Sequence, residues 1–303
     1  MSAPSAPSAP PASSGDPAPP APTAPPEPAA ECGPRLPPVY EPRRADCPWC
    51  ASKRLRGPGA LPVDECRDCG HLFQNPRLTV GSLAARLGDA GEGWSAVRRH
   101  RSAARAMLSF PEPEGWLDVG AGRAHFAAVA KELFPYTSFD GLDPTPRVEA
   151  ARAAGRLEEA YVGPLTDPHL VARLRGRYDV VSMFQHLQRA PDPREELRAA
   201  LAVLRPGGHL LLELLDPHSV PATVLRPWWL ARTQPRAVHL IPPANLRAVL
   251  EAQGCTVVTP GRRARLAQVH RLVVRKATRT TRAVPVRVPA DPPASPAAPD
   301  SPS

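Results

Sequence analysis

The sequence predicts an α/β fold built on a parallel sheet, and three observations carry the prediction. Residues 115–122 read GWLDVGAG: a short apolar run (Trp116, Leu117, Val119) ends in a Gly-x-Gly turn and opens into a helical stretch over 125–133. About twenty residues later a second strand, 137–142, delivers Asp143 at its tip. Strand, helix and strand then alternate again over 178–215. Glycines let a backbone approach a ligand closely, and a helix start presents free N–H groups. A carboxylate at the tip of the second strand suits the paired hydroxyls of a ribose. Together they imply a nucleoside-containing cofactor in a Rossmann-like domain.

The type of nucleoside follows from what the turn lacks. A dinucleotide site asks for Gly-x-Gly-x-x-Gly, yet position 125 is His125, so only Gly120, Gly122 and Ala124 remain of that fingerprint. Alone, the remnant also fits an ordinary strand–helix turn. Further along, YDVVSM at 178–183 reads as a buried strand and 194–204 as a helix. Arg205-Pro206-Gly207-Gly208 stops that helix before a strand at 209–215. The strand at 157–162 runs into Gly163-Pro164-Leu165. A helix at 243–253, with Leu246, Val249 and Leu250 inward and Gly254 as cap, precedes strands at 256–259 and 266–274. The succession strand, helix, Leu-Arg-Pro-Gly-Gly, strand resembles the later half of the class I S-adenosylmethionine (SAM) methyltransferases, over roughly residues 111–275. The resemblance implies a Rossmann-like seven-stranded sheet with helices on both faces, a final antiparallel strand, and SAM as cofactor.

The resemblance also implies roles for particular residues. Asp118 would organise the loop near the methionine part of SAM; Gly120, Ala121 and Gly122 would lie under the cofactor; Asp143 would take the ribose hydroxyls; Met183 joins the cofactor-binding set. A strand-end Asp118 that merely bonds its own turn is the plainer alternative. After the fourth strand, relatives often carry His-x-Leu-Glu-His before Asp-Pro. Here His186 and Leu187 fit that frame, but Gln188 and Arg189 stand at the Glu and second His positions. That leaves His186 as the candidate catalytic base, the group on this loop that titrates near neutrality. The competing reading is a histidine bonded to the loop backbone. Methyl transfer chiefly needs alignment and exclusion of water, and needs a base only for a poorly ionised acceptor. Further on, Trp228-Trp229 read as a loop, followed by Gln234-Pro235 and His239-Leu240, resembling the substrate-side insert of these relatives. The tryptophans suit an apolar or sugar-stacking wall, or equally a hydrophobic plug.

Ahead of this domain, Cys47-Pro-Trp-Cys50 is followed by Cys66-Arg-Asp-Cys69. Two Cys-x-x-Cys knuckles at this spacing can place four thiolates around one Zn²⁺, and so small a segment would fold on its metal; two disulfides are the rival reading, which a cytosolic-type enzyme domain disfavours. With four thiolates the zinc is structural. His71 is a possible competing ligand or an outer partner. CRDCGHLFQNPRLT at 66–79 resembles the zinc-ribbon module that precedes the methyltransferase domain in a large bacterial group. The first knuckle departs, with Ala51 where glycine is usual, so a turn needing positive φ there would be strained. Trp94, Val97, Ala104 and Leu108 recur at near-helical spacing and predict an amphipathic helix over 94–109. Cys255, opening an apolar strand, reads as a core thiol.

Proline is unevenly placed: residues 1–42 and 276–303 are Pro/Ala/Ser-rich and lack the apolar periodicity of a core, so both are expected to be disordered tails. The expected organisation is a tail at 1–42, zinc ribbon 43–80, helical connector 81–110, methyltransferase domain 111–275 and a basic tail 276–303. The tail has no signal-peptide pattern and no segment approaches eighteen apolar residues, so a cytoplasmic location without a membrane anchor is expected. The net charge of +9 is carried mostly by Arg, and residues 261–288 hold no acid. That run suits a phosphate-tracking surface, but it has no interleaved aromatics on which bases could stack. The expected function is therefore methyl transfer to a small molecule, a sugar or secondary metabolite. An RNA methyltransferase and a non-catalytic SAM-binding scaffold are the alternatives.

Overall fold

A computed structural model describes residues 37–57, 61–87, 94–233, 237–259 and 268–278. Residues 1–36 and 279–303 of the tails, Gln234-Pro235 and most of the basic run lie outside these residues. Strands β1 (Leu55–Arg56), β2 (Val63–Cys66) and β3 (Leu72–Gln74) form an antiparallel meander around the second cysteine knuckle. Helices α1 (Val80–Leu87) and α2 (Trp94–Arg105) follow. Strands then alternate with helices: β4 (Gly115–Val119), α3 (His125–Ala130), β5 (Ser138–Asp143), α4 (Arg147–Ala153), β6 (Ala160–Val162) and α5 (Pro168–Leu174). The alternation continues with β7 (Tyr178–Phe184), α6 (Pro193–Val203) and β8 (Leu204–Leu215). An insert of α7 (Val220–Val224), α8 (Arg226–Thr233) and β9 (His239–Leu240) precedes α9 (Pro243–Ala252), β10 (Cys255–Thr259) and β11 (Val269–Lys276).

The larger sheet has seven strands in the order β10-β11-β8-β7-β4-β5-β6. Strands β4 to β8 run parallel, and β11 is antiparallel to both β8 and β10. Its central strands are apolar on both faces, as a parallel sheet covered on both sides demands. One face packs Leu117, Val181, Met183 and Leu212 against Leu174 of α5, Leu197 of α6 and Leu246 and Leu250 of α9. The other packs Trp116, Phe139, Val180 and Leu211 against Ala103 of α2, Phe126 of α3 and Val148 of α4. Helix α6 starts where it does because Asp192 accepts from the Arg194 and Glu195 N–H groups, with Pro193 at the first helical position. The Asp167-Pro168 pair starts α5 the same way.

The smaller sheet, β1-β2-β3-β9, recruits its last strand from the far side of the chain. Leu72 faces Leu240 and Phe73 faces His239.

Three local expectations are corrected. The Leu-Arg-Pro-Gly-Gly run does not precede its strand but forms the first residues of β8. A Cβ at Gly208 would lie 2.8 Å from the Asp179 carbonyl oxygen, so close backbone approach requires glycine there. Trp228 and Trp229 lie on helix α8, not a loop; Trp229 is buried with Leu72, Ala222 and Leu240, while Trp228 faces outward. Helix α2 is present, but its buried face is Ala96, His100, Ala103 and Ala104, whereas Val97 is exposed.

Candidate active site and metal centre

The chain winds outward from β4 through β5 to β6, then returns to lay β7 on the opposite side of β4. Such a reversal leaves a crevice beyond the carboxyl ends of the two strands. A cavity of about 110 Å³ lies there. Asp118, Gly120 and Ala121 line it from the β4 side, Phe184, Gln185 and Arg189 from the β7 side. His125 and Phe126 of α3 and Arg99 and His100 of α2 complete it.

Its polar groups are fixed by buried partners. The Trp116 indole N–H donates to Ser182 Oγ at 3.0 Å, and that hydroxyl donates to Asp118 Oδ1 at 2.6 Å. Trp116 and Ser182 are fully buried, so the relay sets the Asp118 carboxylate away from competing water. The Gly120 and Ala121 N–H groups both donate to the Leu142 carbonyl, at 2.8 and 3.2 Å, tying the glycine loop to the end of β5. The Gly122 N–H donates to Asp143 Oδ2 at 2.9 Å, and the Thr145 N–H and hydroxyl donate to Oδ1 at 2.9 and 2.5 Å. Asp143 is thus a preset acceptor at the tip of β5. Glu213 of β8, 1% exposed, pairs with Arg99 Nε at 3.1 Å and Arg271 Nη2 at 2.7 Å, which staples α2 beside the cavity. Burial, with Arg99 adding to it, holds His100 down to about 4, so its imidazole is neutral at pH 7.

Asp118, Gly120 and Ala121 line the cavity; Gly122 and Asp143 do not, but are joined to each other at 2.9 Å where the glycine loop meets the tip of β5. Met183 stands elsewhere: its side chain is fully buried in the apolar layer with Leu117 and Leu197, and the next residue, Phe184, reaches the cavity. His186 does not line the cavity. Its Nε2 lies 2.8 Å from Glu196 Oε1, and its ring packs on Gly120. The connector helix fits either a lid over the cofactor site or plain packing, but its apolar spacing does not single out Arg99 and His100, which lie off that stripe. Glu196 escaped sequence reasoning because its partner is ten residues away across a loop.

The four cysteines converge. The Sγ atoms of Cys47, Cys50, Cys66 and Cys69 all lie within 4.8 Å of one another. Cys47–Cys69 is 3.7 Å and Cys50–Cys66 is 3.5 Å. A tetrahedral ion bonded at about 2.3 Å spaces its sulfurs about 3.8 Å apart, so the donor set fits zinc in both chemistry and size. Burial raises the Cys47 thiol to about 11. At Cys66 burial is outweighed by the backbone N–H groups of Cys69 and Asp68, which bring the thiol down to about 7. Both knuckle turns take positive φ, Gly70 at 68° and Ala51 at 59°, so Ala51 carries the strain anticipated for a Cβ there. His71 Nδ1 sits 3.8 Å from Cys47 Sγ, and its ring stacks on His239 with centroids 5.2 Å apart.

Comparison with known proteins adds to this geometry. The profile of a family described as "Methyltransferase domain" matches residues 94–259. The ubiquinone biosynthesis O-methyltransferase of Escherichia coli is 29% identical over 138 residues, 43% of this chain and 57% of that protein. The protein of the same name in Shigella boydii matches to the same extent. The chain therefore spans little more than half the length of these curated relatives. Among solved structures, a chain of the complex between the Haloferax volcanii Trm112 methyltransferase activator and a methyltransferase superposes with a TM-score of 0.51 at 16% identity, covering 66% of this chain and 98% of that one.

Proposed function

The chain belongs to the class I SAM-dependent methyltransferase family, and on that premise we propose that it transfers a methyl group to a small-molecule acceptor, a sugar or secondary metabolite. The observation that carries the reading is the cavity between the Asp118–Ala121 edge and the Phe184–Arg189 edge. The residues present fit the cofactor. Asp143 offers an acceptor to a ribose, the loop Gly120-Ala121-Gly122 offers close backbone, and Asp118 borders the methionine side. When bound, SAM supplies a methyl group already activated on a sulfonium. The chain's part is to align and to shield: Phe126 and Phe184 give apolar walls, and α2, stapled through Glu213, closes one side with Arg99 and His100. Nothing in this reading requires a base. The relatives' activity, O-methylation in ubiquinone biosynthesis, supports a small acceptor.

For the cysteine centre the proposal is one structural zinc per chain, held by Cys47, Cys50, Cys66 and Cys69, with no position open to substrate. Residues 43–80 act as the ribbon, 81–110 as connector and 111–275 as the catalytic domain.

The test is transfer of radiolabelled methyl from SAM to fractionated host extract. Label in the small-metabolite fraction is expected. Label in RNA would replace the acceptor class, and SAM binding with no labelled product in either fraction would favour a non-catalytic scaffold.

A further inference from the structure

We propose that Glu196 and His186 are a positioning pair that braces Gly120, fixing the cofactor loop; the inference rests on reading that loop as the SAM site. Neither residue lines the cavity, whereas Gly120 does. The contact between them is close and buried. His186 Nε2 lies 2.8 Å from Glu196 Oε1, with side chains 16% and 4% exposed. An ionised carboxylate only accepts, so Nε2 carries the proton of this bond. Glu196 enters from the first turn of α6, at the positive end of the helix dipole, which favours negative charge.

Held this way, the ring lies against the glycine. A Cβ built on Gly120 would meet His186 Nδ1 at 2.6 Å and Cγ at 3.1 Å. Gly120 has φ +76°, and the residue before the histidine, Gln185, also has positive φ, +53°. Gly120 takes the left-handed region freely, whereas Gln185 holds it only because its surroundings impose it. The Gly120 N–H is meanwhile tied to the Leu142 carbonyl at 2.8 Å. Gripped by that carbonyl and by the imidazole, the loop has one arrangement to offer a ligand. The glycine is needed twice over, for its φ and for the ring that occupies the Cβ position.

The experiment is calorimetric titration of S-adenosylhomocysteine into the full chain, with steady-state kinetics alongside. Glu196→Ala and His186→Ala should each weaken the affinity about tenfold, the scale of one lost hydrogen bond to a charged group. The double variant should be no weaker than the weaker single one, because both remove the same contact. Glu196→Gln keeps an acceptor oxygen for the Nε2–H and should stay within about threefold of wild type. KM for SAM should rise while kcat at saturating SAM holds within the same range. Unchanged affinity in Glu196→Ala overturns the proposal. So does a kcat that falls at unchanged affinity, which would mark His186 as a base. If Glu196→Ala does not fold, His186→Gln, which keeps a nitrogen for Glu196 but supplies no ring, gives the same reading: tenfold loss supports the brace and unchanged affinity ends it. Wild-type protein that binds no S-adenosylhomocysteine would instead sink the SAM reading itself, and the brace with it.

Discussion

The seven-stranded sheet buries Trp116, Leu117, Val181 and Leu212 between two helical layers, whereas the four-stranded ribbon sheet has strands of two to four residues and little apolar substance of its own. The ribbon compensates with polar chemistry. Asp64, 2% exposed, accepts from Arg43 Nη2 at 2.9 Å and from Asn75 Nδ2 at 2.7 Å. It also leans on its neighbour: Gln74 N–H donates to the Val238 carbonyl, and the Val238 and His239 N–H groups donate to the Gln188 carbonyl at 2.8 and 2.9 Å. Arg77 Nη1 donates to the Pro191 carbonyl at 2.6 Å, and Arg194 Nη1 to the Trp49 carbonyl at 2.8 Å. Most of these bonds converge on residues 188–194, the end of the loop after β7 and the first turn of α6. One sheet is stable because its central strands bury large apolar side chains on both faces. The other depends on thiols and on a borrowed strand, and in return it stiffens the loop beside the site.

The largest expected break in this contrast is Cys66→Ser. On the proposed zinc centre, losing a thiolate removes the metal's contribution to folding, a matter of about 10 kcal/mol in small zinc domains. Hydrogen exchange should show residues 63–74 and 238–240 opening together while 116–119 and 180–183 stay protected. Protection retained in the ribbon would mean that its polar contacts suffice without metal.

A second contrast lies within the insert. Trp229→Ala empties a buried site and should cost about 3–5 kcal/mol. The half-exposed Trp228 should cost within about 0.5 kcal/mol when truncated. Denaturant midpoints compare them, and equal losses would show that Trp228 is also structural.

The third test concerns pH at the seam between α2 and the sheet. His100 falls from 6.5 unfolded to about 4 folded through burial, with Arg99 contributing. Between those values the unfolded chain binds the proton and the folded chain does not. Stability is therefore full above 6.5, declines as pH falls through the window, and has lost roughly 3 kcal/mol from this group near 4. His100→Gln should flatten that part of the acid limb in urea titrations. An acid limb identical to wild type would place the sensitivity elsewhere.

What the sequence disclosed follows the same division. Strands β4, β5 and β7 were legible because each is short, largely apolar and ends at a turn residue or an acid, and the cysteine cluster because its spacing is itself the signal. The pairing of β3 with β9 was not, since a two-residue strand from far along the chain leaves no periodicity. On α2 Ala104 is buried as expected, but its face is completed by Ala96, His100 and Ala103 rather than Val97, because small or polar side chains carry little hydrophobic contrast. The resemblance puts Met183 in the cofactor set, but strand alternation turns it to the core and gives Phe184 to the cavity. The buried pair of His186 and Glu196 is visible only once α6 is folded against the loop.

The central claim, that the glycine loop and Asp143 form a SAM site, is tested most directly by calorimetry with SAM and NAD on wild type and Asp143→Ala. The account predicts one SAM bound per chain, no heat from NAD, and a loss of roughly 1.5–3 kcal/mol in the variant, the scale of a hydrogen bond to a charged group. Binding of NAD with no heat from SAM, or SAM affinity untouched by Asp143→Ala, would contradict it.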